Sequence, residues 1–230
     1  MIPLRDANPR RRQAIVTLAL VAACSLVFAW ELWLVTAGGD GALEDLAKNW
    51  GLVPRAVVGE AKAGHVLSQP MLAVFTSMFL HGGWAHILGN MLFLWIFGGR
   101  VEDRFGPVAF LALYLIGGVA AAAGQTLESP ASELPMIGAS GAISAVLGAY
   151  LVLYPRARIQ SLVFLGFFYQ LVAVPAAILL GYWFLLQVVD GVAALGSTDL
   201  TGGVAVYAHI AGFVAGAVMA LPLRLGRSVG

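Results

Sequence analysis

From Ala14 to Val35 the sequence is interrupted by only three polar side chains, Thr17, Ser25 and Glu31. A helix of about 20 such residues spans the hydrocarbon core of a bilayer, whereas a surface helix of a soluble protein keeps a polar face. Further apolar runs follow. One emerges from His81-Gly82-Gly83-Trp84-Ala85-His86-Ile87-Leu88-Gly89-Asn90 and continues to about Gly99; others cover Val108 to Leu127, Gly138 to Tyr154, Leu162 to Val189 with a kink expected at Pro175, and Val204 to Leu223. The apolar positions are continuous rather than alternating, which argues against a barrel. With 60% hydrophobic and 11% charged residues, the chain reads as an all-α polytopic membrane protein. One six-helix domain, residues 14–223, is expected between tails 1–13 and 224–230.

Several other classes are excluded or disfavoured early. A net charge of +1 offers no broad surface for nucleic acid, and the single cysteine, Cys24, excludes an internal disulfide framework. Val21-Ala22-Ala23-Cys24 resembles a lipoprotein cleavage site, but the apolar run continues through Phe28, Trp30 and Leu32, so it reads as an uncleaved first span. The long mixed loop from residue 37 to 70 contains segments, such as Leu43 to Trp50, suited to short interfacial helices.

Charge gives the orientation. Six spans put Arg5, Arg10, Arg11, Arg12, the short charged turn Arg100 to Arg104, Arg156, Arg158, Arg224 and Arg227 on one side. By the positive-inside rule that side is cytoplasmic, with both termini. The loops before Gly138 and from Asp190 to Gly203 carry no Lys or Arg, as expected of outer loops.

Spans two, four and six then run inward and begin with unusual residues: His86 and Asn90, Ser140, and His209. All lie within about two helical turns, or about 10 Å, of the outer helix ends. Being four apart, His86 and Asn90 share a helix face. Small residues favour close helix contact in lipid: Ala208, Gly212, Gly216 and Ala220 recur beside His209, opposite Gly141, Ser144, Ala145, Gly148 and Ala149. A fourth span of about 17 residues covers about 25 Å of a core about 30 Å thick, which places Ser140 at the bottom of a water-filled recess.

A serine hydroxyl becomes a useful nucleophile when a base takes its proton, and a neutral imidazole can do so. The resulting oxyanion needs fixed donors, which Asn90, His86 and the Ser140 backbone N–H could supply. No carboxylate is tied to His209: Asp190 and Asp199 belong to a loop, and Glu31 reads as a satisfied or interfacial carboxylate. A dyad is therefore expected, with no cofactor and no metal. Plainer readings stand beside it. Ser140 and Ser144 could merely let helices touch, His209 could be a packing residue, and two histidines on separate helices could clamp a haem. His81 reads as solvated or as a structural loop tie, Trp84 as an interfacial anchor and His65 as an ordinary loop histidine. A transporter would want ionisable groups through the full depth of the spans, which are nearly all apolar below their outer third.

Together these motifs resemble the rhomboid family of intramembrane serine proteases: His81-x4-His86-x3-Asn90, Gly138-Ala139-Ser140-Gly141, Ala208-His209-x2-Gly212-x3-Gly216, and Gly98-x3-Glu102-x3-Gly106 after span two. The match covers about Met71 to Ala220. The resemblance implies a six-helix bundle in which Ser140 is nucleophile, His209 general base, and His86 and Asn90 assist the oxyanion. It implies transmembrane protein substrates, cut near the outer face and admitted from lipid past the fifth span and its following loop, where Gly202 and Gly203 give flexibility. It also implies a bacterial inner membrane. A non-catalytic rhomboid-like binder of membrane clients is the alternative. Two features depart from the family. Many rhomboids carry an aromatic residue four after the serine, packed on the catalytic histidine, where this chain has Ser144; and the Trp-Arg pair of some first loops has no counterpart here.

Overall fold

The computed structural model of the protein describes residues 2–8, 12–39, 41–165, 168–194 and 206–225. Three helices, α1 (Ile15–Gly38), α7 (Pro107–Glu128) and α10 (Val206–Leu225), are long and apolar enough to cross a membrane. Shorter apolar stretches are α8 (Ser140–Leu153) and the first part of α9 (Ala176–Ala194). The second expected span is a compound element. In it α5 (Trp84–Phe93) passes through a π-helical turn, Leu94–Gly98, into α6 (Gly99–Phe105). The residues Arg100 to Arg104, expected as a turn, therefore continue the helix. The first loop contains α2 (Gly41–Trp50), as expected of that segment, with α3 (Pro54–Ala63) and α4 (Gln69–Thr76).

At the centre stands α8, whose residues from Ala142 to Tyr150 are all buried. A helix apolar all round belongs inside a bundle. On either side α7 and α10 approach it through small residues. A Cβ placed on Gly117 would meet Ala145, one on Gly212 the Gly141 carbonyl, and one on Gly216 the Ala145 carbonyl. The small-residue stripes thus do what the sequence suggests and bring backbones into contact.

Glu102 explains the motif after span two. Its buried carboxylate accepts from Val16 N (2.9 Å), Thr17 N (2.8 Å) and Thr17 Oγ1 (2.8 Å). It therefore caps the positive end of α1, where first-turn N–H groups have no helical acceptor. The α1 backbone can come this close because Gly98 has no Cβ to press on Thr17, and Gly106 (φ +80°) supplies the left-handed bend that starts α7.

The fifth expected span needs correction. Residues 158–165 and 168–175 are not helical: they form an antiparallel hairpin, β2 (Arg158–Leu165) and β3 (Phe168–Pro175), paired from Arg158↔Pro175 to Leu165↔Phe168. Within residues 1–13, expected as a tail, β1 (Ile2–Asp6) joins the hairpin antiparallel to β2 and gives the order β1-β2-β3. The cause is local chemistry. Val163, Val172 and Val174 with Phe168 and Tyr169 suit a pleated surface. Pro175 stands directly before α9, where no helical N–H is required of it, and so begins a helix rather than kinking one.

Asp6 fastens this sheet to the bundle. Its carboxylate accepts from the Tyr150 hydroxyl (2.6 Å) and lies 3.4 Å from Arg100, whose guanidinium covers the Tyr154 ring at 4.2 Å. Burial works against the charge on Arg100, but Asp6, Tyr150 and Tyr154 outweigh it and raise its pKa. The expected loop Asp190 to Gly203 begins later than its sequence suggests, since α9 continues to Ala194. Asp199, Gly202, Gly203, Arg10, Arg11 and Arg227 lie outside the described residues.

Candidate active site

Ser140 is the first residue of α8, and the segment leading to it is fixed from two sides. Leu52, fully buried in the first loop, exchanges two backbone hydrogen bonds with Met136 (both 2.8 Å). Arg55 donates its backbone N–H to Ser132 O (3.0 Å), and its guanidinium pairs with Glu133. Gly138 then donates to Ser77 O (2.8 Å) just before the helix opens. The first loop therefore docks on the strap that carries the serine, although it lacks the Trp-Arg pair.

At that helix start Ser140 Oγ lies 2.7 Å from His209 Nε2 of α10. The imidazole is almost wholly buried, 6% exposed. With Nε2 accepting the serine hydroxyl proton, the neutral ring carries its own proton on Nδ1. The closeness of the pair follows from the seam between α8 and α10. Gly212 lies one turn below His209 and rests on the Gly141 backbone, so no side chain separates the two helices at this level. Ser144 does not reach the histidine as a donor: its hydroxyl bonds back to Ser140 O at 2.7 Å.

Four of the residues singled out by sequence, His86, Asn90, Ser140 and His209, line one recess of about 570 Å³. That volume falls within the usual range of about 300–1,000 Å³ for ligand sites. The His86 ring packs beside Gly138, where a Cβ would lie 2.6 Å from His86 Nε2. Gly138 has φ +129°, a further reason for glycine at this position. Asn90 is buried, and among the described residues its Nδ2 has no hydrogen-bond partner. A buried amide donor without a partner, on the wall of a largely apolar recess, is equipped to receive negative charge.

Of the two readings of His81, the structure fits the structural tie and not the solvated residue. His81 is fully buried, donates its backbone N–H to Glu31 (3.0 and 3.3 Å to the two oxygens), and meets the His86 ring edge-on at 5.2 Å. Glu31, accordingly, is a satisfied carboxylate: α1 uses it to hold the turn before α5, on which His86 and Asn90 stand. Trp84 is 62% exposed and packs edge-on against Phe28 at 5.1 Å. His65, on the surface, pairs with Glu60. No cluster of metal-ligating side chains occurs among the described residues.

Sequence reasoning missed one neighbour of the site. Trp183 of α9 lines the recess, and its ring centroid lies 5.7 Å from that of His209. Nothing in its local sequence marks it, since it is one aromatic residue in an apolar run.

Comparisons with known proteins agree with this architecture. The Rhomboid domain family model matches residues 68–225. Rhomboid protease GluP of Bacillus subtilis is 33% identical over 65% of this chain and 26% of its own length. RHOMBOID-like protein 12, mitochondrial, of Arabidopsis thaliana is 30% identical over 67% of this chain and 47% of its own length. RHOMBOID-like protein 5 of the same plant is 34% identical over 45% of this chain and 31% of its own length. The chain thus spans less than half the length of these relatives. They include mitochondrial as well as bacterial proteins, so they support a membrane but not the bacterial inner membrane expected from the compact form. A family model that covers more than half of the chain, on a helical bundle of this design, establishes that the protein belongs to the rhomboid family.

Proposed function

We propose that the protein is an intramembrane serine endopeptidase that cleaves single-span membrane proteins within or beside their transmembrane segment, near the outer membrane face. The observation that carries this reading is the 2.7 Å contact between Ser140 Oγ and His209 Nε2 at the edge of a recess. Ser140 Oγ attacks the carbonyl carbon of the scissile bond while its proton passes to His209 Nε2. The tetrahedral oxyanion is received by Asn90 Nδ2, a His86 ring N–H and the Ser140 backbone N–H, which belongs to the helical turn without internal acceptors. Collapse breaks the C–N bond, and His209 gives its proton to the departing amine. Water, deprotonated by His209, then attacks the acyl-serine; the acid product leaves and the Ser140 hydroxyl is restored.

A helical substrate hides its carbonyls in its own hydrogen bonds, so it must unwind at the cut, and Gly or Pro nearby lowers that cost. The basic ends of α6 and α10, and Arg156 and Arg158 just after α8, would face the cytoplasm and the recess the opposite side. Purified protein in detergent is expected to cleave a fluorescent single-span substrate and to lose that activity in Ser140→Ala. Full activity in Ser140→Ala overturns the proposed nucleophile. The alternative, a client binder without chemistry, is separated by labelling: a fluorophosphonate should modify the wild-type protein covalently at Ser140 and leave Ser140→Ala unlabelled.

A further inference from the structure

We infer that Trp183 is a positioning residue for His209: its indole, delivered from α9, fixes the imidazole in line with Ser140. The proposal rests on the reading above, in which His209 is the base. The seam between α8 and α10 places the histidine backbone, but the side chains facing it across that seam are small, namely Gly141, Ser144 and Ala145. A hydrogen bond at Nε2 fixes one atom of the ring; the tilt about its Cβ–Cγ bond is fixed by what packs against its side.

Trp183 supplies such a surface. The two ring centroids are 5.7 Å apart with planes at 47°, inside the range of an aromatic pair. The indole is itself held, since Phe93 of α5 lies 6.0 Å from it, and the next residue, Phe184, packs on Phe213 of α10 at 5.4 Å. An aromatic ring anchored on both neighbouring helices thus closes the recess beside the histidine, in a chain whose Ser144 cannot play that part.

The test uses the full-length protein in detergent and a small fluorophosphonate. The probe forms the Ser140 Oγ–P bond, expels fluoride and sends the serine proton to His209, without requiring a protein substrate to pass α9. Wild-type labelling establishes the nucleophile; its absence overturns the function proposed above and not this inference alone. Given wild-type labelling, Trp183→Ala and Trp183→Leu should label about tenfold more slowly or worse, while Trp183→Phe and Trp183→Tyr stay within about threefold of wild type. The leucine variant keeps apolar bulk and loses the ring, so it separates stacking from space-filling. With the single-span substrate, the slow variants should lose kcat rather than gain KM. Labelling of Trp183→Leu at the wild-type rate overturns the proposal, as does a folded Trp183→Phe that is as slow as Trp183→Leu. Should Trp183→Ala fail to fold, the leucine and phenylalanine pair decides.

Discussion

Two helices border the histidine, and they are attached to the rest of the molecule in opposite ways. Helix α8 meets α10 backbone to backbone: Gly212 and Gly216 rest on the carbonyls of Gly141 and Ala145, and Gly148 rests on that of Phe213. Helix α9 meets its neighbours through side chains instead, with Leu179 and Leu180 buried in the core, Trp183 between Phe93 and His209 and Phe184 on Phe213, while Ile178, Tyr182, Leu185 and Leu186 face outward. A backbone seam allows one spacing and one register, whereas a ring contact can be broken and remade by a rotamer change. Ser140 and His209 stand on the seam, and one wall of the recess stands on the rings. The largest expected effect therefore comes from the seam. Gly216→Val places two methyl groups against the Ala145 carbonyl and should cost about 3 kcal/mol or more, enough to abolish both folding and labelling. Thermal unfolding in detergent measures it; a stable, active Gly216→Val would mean that the seam is no more rigid than α9.

Next comes the donor opposite the pair. Asn90→Ala leaves the seam and Trp183 in place and should lower kcat for the single-span substrate by about 100- to 1,000-fold, with little change in KM or in melting temperature. Unchanged kcat removes Asn90 from the oxyanion and leaves its unpartnered amide without a role. A smaller effect is expected at Glu102, which ties the first turn of α1 to α6 away from the recess. Glu102→Gln weakens charge-assisted hydrogen bonds to Val16 and Thr17 and should lower stability by about 2 kcal/mol while fluorophosphonate labelling of the folded fraction continues at the wild-type rate. A change in that labelling rate would mean that the seam feels strain from α1.

The same contrast separates what could be read in the sequence from what could not. Contacts written as small-residue periodicity were legible: Gly212 and Gly216 against Gly141 and Ala145 brought His209 to Ser140, and the shared depth of His86 and Asn90 brought them to the same recess. The spans α1 and α7 fall close to their expected limits because an apolar run bounded by charge or proline has few ways to be misread. The hairpin was hidden for a physical reason. A continuous apolar run from Leu162 has no polar face to betray its period, so strand and helix look alike, and the strand that completes the sheet, β1, lies at the other end of the chain. Trp183 was hidden similarly, because a ring contact between distant helices leaves no pattern along either one. Glu31 and His81 could be listed as polar residues but not paired, since they meet through a backbone N–H.

The smallest expected effect probes the start of α9. β3 runs directly into that helix, and the sheet is fastened to α8 where the Tyr150 hydroxyl donates to Asp6 at 2.6 Å. Tyr150→Phe removes this hydrogen bond and keeps the fully buried ring against Phe97, at 4.9 Å between centroids, while Asp6 retains Arg100. The loss should be about 1.5 kcal/mol, the lower end for a hydrogen bond to a charged acceptor, because Asp6 keeps its pairing with Arg100. Where it is felt matters more than its size. Amide exchange should accelerate in β1, in β3 and at the start of α9, and stay unchanged along α8 and α10, because the seam draws nothing from the sheet. Faster exchange along α8 would show that the two attachments are one cooperative unit. Exchange confined to the strands and α9, with a modest fall in labelling rate, would show the sheet to be the far anchor of the helix that carries Trp183.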